Sequence, residues 1–427
     1  MLMDVECTTL TNGLRVVTSS LPHVESVTFG IWIGAGGRHE SNRQAGMSHF
    51  IEHLLFKGTK KRSAKDITVA IEGRGGYLNA FTQEENTCYY ARVAYDKLWY
   101  ALEVLTDMYL NASLPPDELE KERGVIIEEI MMYKDQPQHM VQEILTDALW
   151  KNHPLGRPII GFPKTVAAMT RRDISEYRAR MYVPCNTIFA FAGKVNHTEC
   201  VRKVRELVKR PSGTSLRRER PASSRVKQRT LALQTKDIEQ SHLAMGIRIF
   251  GKNDRRRYPL RLLNTVLGEN MSSRLFQVVR EQHGLAYSVH SSFQLYKETG
   301  ALVVSAGLDR KRHDKAFSLI IKELNRLKRR PVGSRELKRA KDYVIGQLRL
   351  GMESTTYQMM WLGENIMSYG RVILPSETIK IISKITASDI RDLAETIIKG
   401  AKTSVAMISP DLSGKDETRI RKELSSL

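Results

Sequence analysis

The chain is 427 residues long, 41% hydrophobic and 27% charged, with a formal net charge of +20. Its length exceeds what one hydrophobic core usually holds, so two domains are expected, and the composition excludes a disordered or fibrous chain. No apolar run approaches the roughly 18 residues of a spanning helix, which excludes an integral helical membrane protein.

The N-terminal stretch "MLMDVECTTLTNGLRVV" has no basic region leading into an apolar one, and no Arg- and Ser-rich amphipathic start. A bacterial cytoplasmic location is therefore expected, with the mitochondrial matrix as the alternative if a transit peptide has been removed. "VTFGIWIGAGGRHE" reads as a strand entering a Gly-rich turn, and "GMSHFIEHLLFKGT" as the helix that follows. That helix sets His49, Glu52 and His53 among Phe50, Ile51, Leu54 and Leu55, where a buried ionisable group needs a partner. Spaced i and i+4, the two histidines project from one helical face and can meet one ion, with Glu52 within reach of a water on it.

Then come "GGYLNAFTQ", a strand "TCYYARVA", and a helix from Tyr95 with Leu98, Leu102 and Leu105 at helical spacing. Catalytic zinc takes three protein ligands and keeps one open position, so a third donor has to come from elsewhere. The best source is the helix near 117 to 133, where Glu122 and Glu129 lie two turns apart on one side. Val125 and Ile126 are expected to anchor this helix, and Gly124 in its middle suggests close packing against a neighbour.

The stretch "KRPSGTSLRRERPASSRVKQRT", 209 to 230, is rich in Pro, Ser and charge and reads as a linker. It separates an N-terminal domain, 1–208, from a C-terminal one, 231–427. Much of the positive charge lies here and in "LNRLKRRPVGSRELKRAK". Neither segment has the aromatic interleaving of nucleic-acid modules, so solvated faces are expected and neither nucleic acid nor a membrane is expected as a partner. Cys7, Cys88, Cys185 and Cys200 lack paired spacing, which argues against a thiolate zinc site or a disulfide framework.

Beyond the linker the same order of elements returns: "SHLAMGIRIFG", a helix beginning near Tyr258, "GLAYSVHSSFQ", the strand "GALVVSAGLD", and a helix with Phe317, Ile320, Ile321 and Leu324. The charged helix "DELEKERGVIIEEI" has its counterpart in "RELKRAKDYVIGQL". The expected fold class is α+β: two homologous domains, each an antiparallel-rich sheet with helices packed on one face, in a clamshell arrangement. In the second copy "RLLNTVLGENMSSRLF" has no histidine, Ala340 stands opposite Glu122, and Gln347 opposite Glu129. A scaffold that folds without the polar set in one copy does not need it for folding in the other, so the set is functional.

"HFIEHLLFKGT" together with "ERGVIIEE" resembles the inverted zinc proteases of the pitrilysin and insulin-degrading enzyme family, nearest the subgroup of the mitochondrial processing peptidase β subunit and its bacterial relatives. The resemblance runs from "NGLRVV" through "GGYLNAFT" and "HPLGRPIIG" to "REQHGLAYSV". It implies one zinc ion per chain on His49, His53 and Glu129, Glu52 as general base, and Glu122 as a supporting carboxylate. It also implies that Asn79, Ala80, Phe81 and Thr82 form the sheet edge to which a peptide substrate adds as a strand. Arg280 and Tyr287 match the family's Arg-x6-Tyr pair, for substrate backbone and oxyanion.

The long glycine-rich loop of the family's non-catalytic partner subunits is replaced here by "LGENMSSRL". The expected function is therefore a zinc metalloendopeptidase acting on peptides or unfolded, presequence-like segments. The competing expectation is a non-catalytic core subunit of a respiratory complex, as some relatives of the fold are. Smaller family members enclose substrate between two two-domain chains, which implies a homodimer with active sites shared across the interface.

Overall fold

The computed structural model describes residues 3–213, 221–222, 230–399 and 402–427. Two compact units share the chain. The first comprises Met1–Met131, Arg157–Arg220 and Arg349–Ser376, and the second Met132–Gly156, Pro221–Leu348 and Glu377–Leu427.

The strands of the first unit are β1 (Val5–Thr9), β2 (Arg15–Ser20), β3 (Ser26–Ile33), β4 (Tyr77–Thr82), β5 (Thr87–Ala94) and β6 (Thr187–Gly193), in the order β1-β2-β6-β3-β5-β4. Only β2 and β6 run parallel. Its helices are α1 (Met47–Leu55), α2 (Ala64–Ile71), α3 (Leu98–Asn111) and α4 (Pro116–Asp135), the last continuing into α5 (Pro137–Leu149). After these come α6 (Pro163–Ala168), α7 (Arg171–Met181) and α8 (His197–Leu207).

The second unit has β7 (Leu231–Thr235), β8 (Gln240–Phe250), β9 (Ala286–Leu295), β10 (Thr299–Asp309) and β11 (Thr403–Ser409), in the order β7-β11-β8-β10-β9. Again one pair, β7 with β11, is parallel and the rest are antiparallel. This repeats the β2-β6-β3-β5-β4 arrangement strand for strand, as the echo in the sequence leads one to expect. The helices that follow β8 in the chain are α9 (Arg257–Asn264), α10 (His313–Arg329), α11 (Ser334–Gly351), α12 (Thr355–Tyr369), α13 (Pro375–Lys384), α14 (Ala387–Ile397) and α15 (Gly414–Ser425). Of these, α12 belongs to the first unit.

Two expectations are corrected. The halves are not contiguous: Met132–Gly156, with α5, joins the second unit, and Arg349–Ser376, with α12, joins the first. The proposed linker, 209 to 230, lies largely outside the described residues. Helices also cover both faces of each sheet rather than one. On β3, the residues Val27, Phe29, Ile31 and Ile33 alternate with Thr28, Gly30 and Trp32, and all are buried. The second set meets α12: Trp32 Nε1 donates to Met359 Sδ at 3.3 Å, and Thr28 Oγ1 lies 2.8 Å from Thr355 Oγ1. Gly363 permits this packing, since a Cβ there would meet the Trp32 ring at 2.1 Å. A strand buried on both sides loses its polar alternation and reads as a continuous apolar run. In the second unit α5 does the same work, setting Leu145 and Leu149 against Ala244, Ala406 and Ile408. No helix among the described residues is long and apolar enough to cross a membrane.

Candidate metal centre

Helix α1 is preceded by Gly46 at its N-cap, whose φ of +95° lies in the left-handed region, and a Cβ there would approach Ile160 O to 2.6 Å. The free N–H groups of its first turn are met from a distance. The Glu40 carboxyl group accepts from Gly46 N at 2.9 Å and from Ser48 N at 2.7 Å; burial pushes its pKa up, while these bonds and Arg157 pull it down. Phe50, Ile51, Leu54 and Leu55 bury one side of α1. The opposite side carries His49 and His53, whose ring centroids are 4.6 Å apart.

Helix α4 supplies the acids. Leu119, Glu122, Ile126 and Ile130 are its buried residues, a stripe at spacings of three and four. Glu129 is partly buried beside this stripe, whereas Glu128 is exposed. Here two expectations fail. Val125 is 50% exposed, and among the described residues no neighbouring element comes within 4 Å of a Cβ built on Gly124. Both residues fall on the side of α4 away from the stripe, a phase of roughly 100° per residue that four consecutive residues cannot share.

His49 Nε2 and His53 Nε2 each stand 3.8 Å from Glu129 Oε2. The three ligand atoms lie within 4.8 Å of one another. Donors on a tetrahedral zinc at about 2.0–2.2 Å are spaced roughly 3.4 Å apart, so the set fits one ion after a small contraction. His53 Nδ1 donates to Glu122 Oε2 at 3.0 Å, which leaves Nε2 directed to the Glu129 side. Glu122 thus sits behind the histidine rather than among the inner donors.

Glu52 accepts a 2.6 Å hydrogen bond from Thr82 Oγ1. Burial pushes its carboxyl up, while the Thr82 bond and His53 pull it down and Glu129 adds to the rise. The net shift is upward, toward the range useful to a general base near neutral pH. His49 is pushed down to about 3 by burial and by His53 beside it, which keeps its imidazole neutral and available as a ligand.

That depression has a measurable consequence in metal-free protein. Between the ordinary histidine value near 6.5 and the folded value, the unfolded chain binds a proton that the folded chain does not. Stability is therefore lost as pH falls through this window, by up to about 1.4 kcal/mol per pH unit. Denaturant unfolding of metal-free wild type and His49→Gln, from pH 7 to pH 4, should show the wild type losing stability relative to the variant. A constant difference across that range would refute the shift.

The edge position expected for Asn79, Ala80, Phe81 and Thr82 is observed: β4 ends the sheet and pairs only with β5. Phe81 packs edge-on to Trp32 at 5.5 Å, and Asn79 Oδ1 accepts from Ala80 N. Arg280 and Tyr287 belong to the second unit. Arg280 lies over the Phe276 ring at 4.7 Å, with its Nε 3.8 Å from Glu281. Tyr287 begins in edge strand β9 and is 77% exposed. In the second unit Ala340 is buried and Gln347 exposed on α11, so no carboxylate replaces the α4 pair there.

Glu40, Lys57 and the Glu52–Thr82 bond were not anticipated. Lys57 Nζ lies 2.7 Å from Glu122 Oε1, and its place four residues after His53 was the available signal. No local spacing marks Glu40, because it reaches the helix from a loop.

The sequence matches the family "Insulinase (Peptidase family M16)" over residues 15–162 and "Peptidase M16 inactive domain" over residues 168–344. An uncharacterized zinc protease of Mycobacterium leprae is 38% identical over 415 residues, covering 96% of this chain and 92% of the relative. Among solved structures, a protease from Helicobacter pylori superposes with a TM-score of 0.89 at 22% identity, covering 96% of this chain and all (100%) of that one. A chain of complex III2 from Candida albicans, solved with Inz-5 bound, gives 0.84 at 20% identity, over 98% of this chain and 99% of that one. At these identities the two structures establish the fold alone.

Proposed function

The chain belongs to the insulinase peptidase family, and from that premise we propose that it is a zinc-dependent metalloendopeptidase cleaving peptides or unfolded, presequence-like segments. The observation that carries this reading is the convergence of His49, His53 and Glu129 from two helices on one point. Zinc, when bound there, supplies a Lewis acid that polarises the scissile carbonyl and acidifies a water. Glu52 accepts a proton from the attacking water and delivers it to the leaving amine nitrogen. The bond from Thr82 aims Glu52, and the edge of β4 pairs with the extended substrate backbone.

Stripping the purified protein with a chelator should abolish peptide cleavage, and one equivalent of zinc per chain should restore it. Purified protein without zinc, inert toward unfolded peptides after zinc is added, would favour the scaffold reading that the complex III likeness raises. We place the enzyme in a bacterial cytoplasm, a reading supported by its bacterial relatives; recovery in a membrane or secreted fraction would refute it.

The proposed assembly is a homodimer in which Arg280 and Tyr287 of one chain serve the zinc of the other, Tyr287 donating to the oxyanion. The motive is that the two sets lie in different units of the chain. Mixing Glu52→Gln with Tyr287→Phe chains, each nearly inactive alone, should then recover activity, because half of the heterodimer's sites carry neither lesion. No recovery despite demonstrated subunit exchange would exclude sharing.

A further inference from the structure

Glu122 is the most enclosed carboxylate of the cluster, its side chain 7% exposed against 24% for Glu129. A buried carboxylate with a single hydrogen bond from an imidazole is poorly compensated. Its second oxygen, Oε1, is met by Lys57 Nζ at 2.7 Å, while Oε2 accepts from His53 Nδ1 at 3.0 Å. The lysine stands just past the end of α1, where its N–H donates to Leu54 O at 3.1 Å, so the helix that carries the histidines also sets the position of the ammonium.

We propose that Lys57 is a positioning residue for the metal centre: it clamps the Glu122 carboxylate so that Glu122 holds His53 with Nδ1 protonated and Nε2 turned toward Glu129. This rests on the reading of His49, His53 and Glu129 as a zinc site. Charge supports the same conclusion. Three carboxylates, Glu52, Glu122 and Glu129, converge here, and a divalent ion offsets two of them. Among the described residues Lys57 is the one lysine or arginine that ion-pairs with any of the three. Without it the centre retains an excess negative charge behind His53, and Glu122 is free to swing away from Nδ1. His49 cannot take over this task, because its buried Nδ1 has no hydrogen-bond partner among the described residues. The orientation of the histidine pair therefore depends on the chain Lys57–Glu122–His53.

The test is zinc affinity, measured by competition with a chromophoric chelator on full-length protein, with no substrate present. Lys57→Met should weaken zinc binding about 10- to 100-fold, the range for partners that orient a metal ligand. Lys57→Arg, which keeps the charge and the donor, should recover most of the affinity. In a Glu122→Gln background, Lys57→Met should add little further loss, because its route to the metal runs through that carboxylate. Nitrogen-15 NMR of the metal-free protein should show His53 protonated on Nδ1 in wild type and a tautomer mixture in Lys57→Met, a change that a merely structural residue would not cause. If Lys57→Met fails to fold, the Lys57→Arg and Glu122→Gln proteins still decide the matter. Arginine that restores nothing, or Glu122→Gln with full zinc affinity, overturns the proposal. Equal affinity in wild type and Lys57→Met overturns it while leaving the zinc site intact. No zinc binding by the wild type would overturn the site and the proposal together.

Discussion

Replacing Glu52 by glutamine should lower peptide hydrolysis by about 10³-fold, equivalent to roughly 4 kcal/mol of transition-state stabilisation, while zinc remains bound. Glutamine preserves the volume and can still accept from Thr82 Oγ1, so the geometry of β4 against α1 is kept. What it removes is the basic oxygen that takes the proton from water and passes it to the departing nitrogen. His53→Ala behaves differently. It deletes an inner donor and leaves Glu122 with Lys57 alone, so zinc and activity should vanish together. Elemental analysis beside a turnover assay separates the two lesions. A Glu52→Gln protein that hydrolyses peptides at the wild-type rate would end the proposed mechanism.

Zinc affinity should fall by about 100-fold or more in Glu129→Gln and remain unchanged in Glu128→Gln, an expectation built on the charge and oxygen donor a catalytic zinc ligand supplies. The adjacent carboxylates are chemically alike and differ in helical phase. Glu129 Oε2 is 3.8 Å from both histidine Nε2 atoms, whereas Glu128 is turned out to solvent about 100° around α4. Glutamine at 129 retains the shape of the side chain but not its charge, so a loss of zinc reports ligation rather than folding. Should Glu128→Gln release zinc while Glu129→Gln keeps it, the assignment of ligands on α4 is wrong.

Much of the centre was readable as one-dimensional spacing. His49 and His53 lie four apart, so the turn of the helix alone puts both on one face, and Glu122 and Glu129 follow the same arithmetic over two turns. The repeat of element order anticipated two sheets of one design, and β4 with β9 end those sheets in equivalent places. Even the mistakes were local. Val125 and Gly124 were assigned to the packed side of α4 from apolarity and size, yet neighbours in sequence on a helix face different directions, and both proved open.

By itself, then, the sequence determined which side chains share a helix face, which segments alternate as strands, and that one copy of the repeat carries the ionisable set while the other does not. Those properties depend on residues a few positions apart, where backbone geometry leaves little choice. Only the tertiary structure decided which distant groups meet. Glu40 reaches α1 from a loop, Thr82 meets Glu52 from an edge strand, and Lys57 with His53 brackets a glutamate from a helix more than 60 residues away. The same holds for α5 and α12, which complete sheets in the unit opposite to their place in the chain. An apolar helix face records that it must be buried, but its partner is selected by shape, as Gly363 admits the Trp32 ring, and shape exists only once the strands have paired.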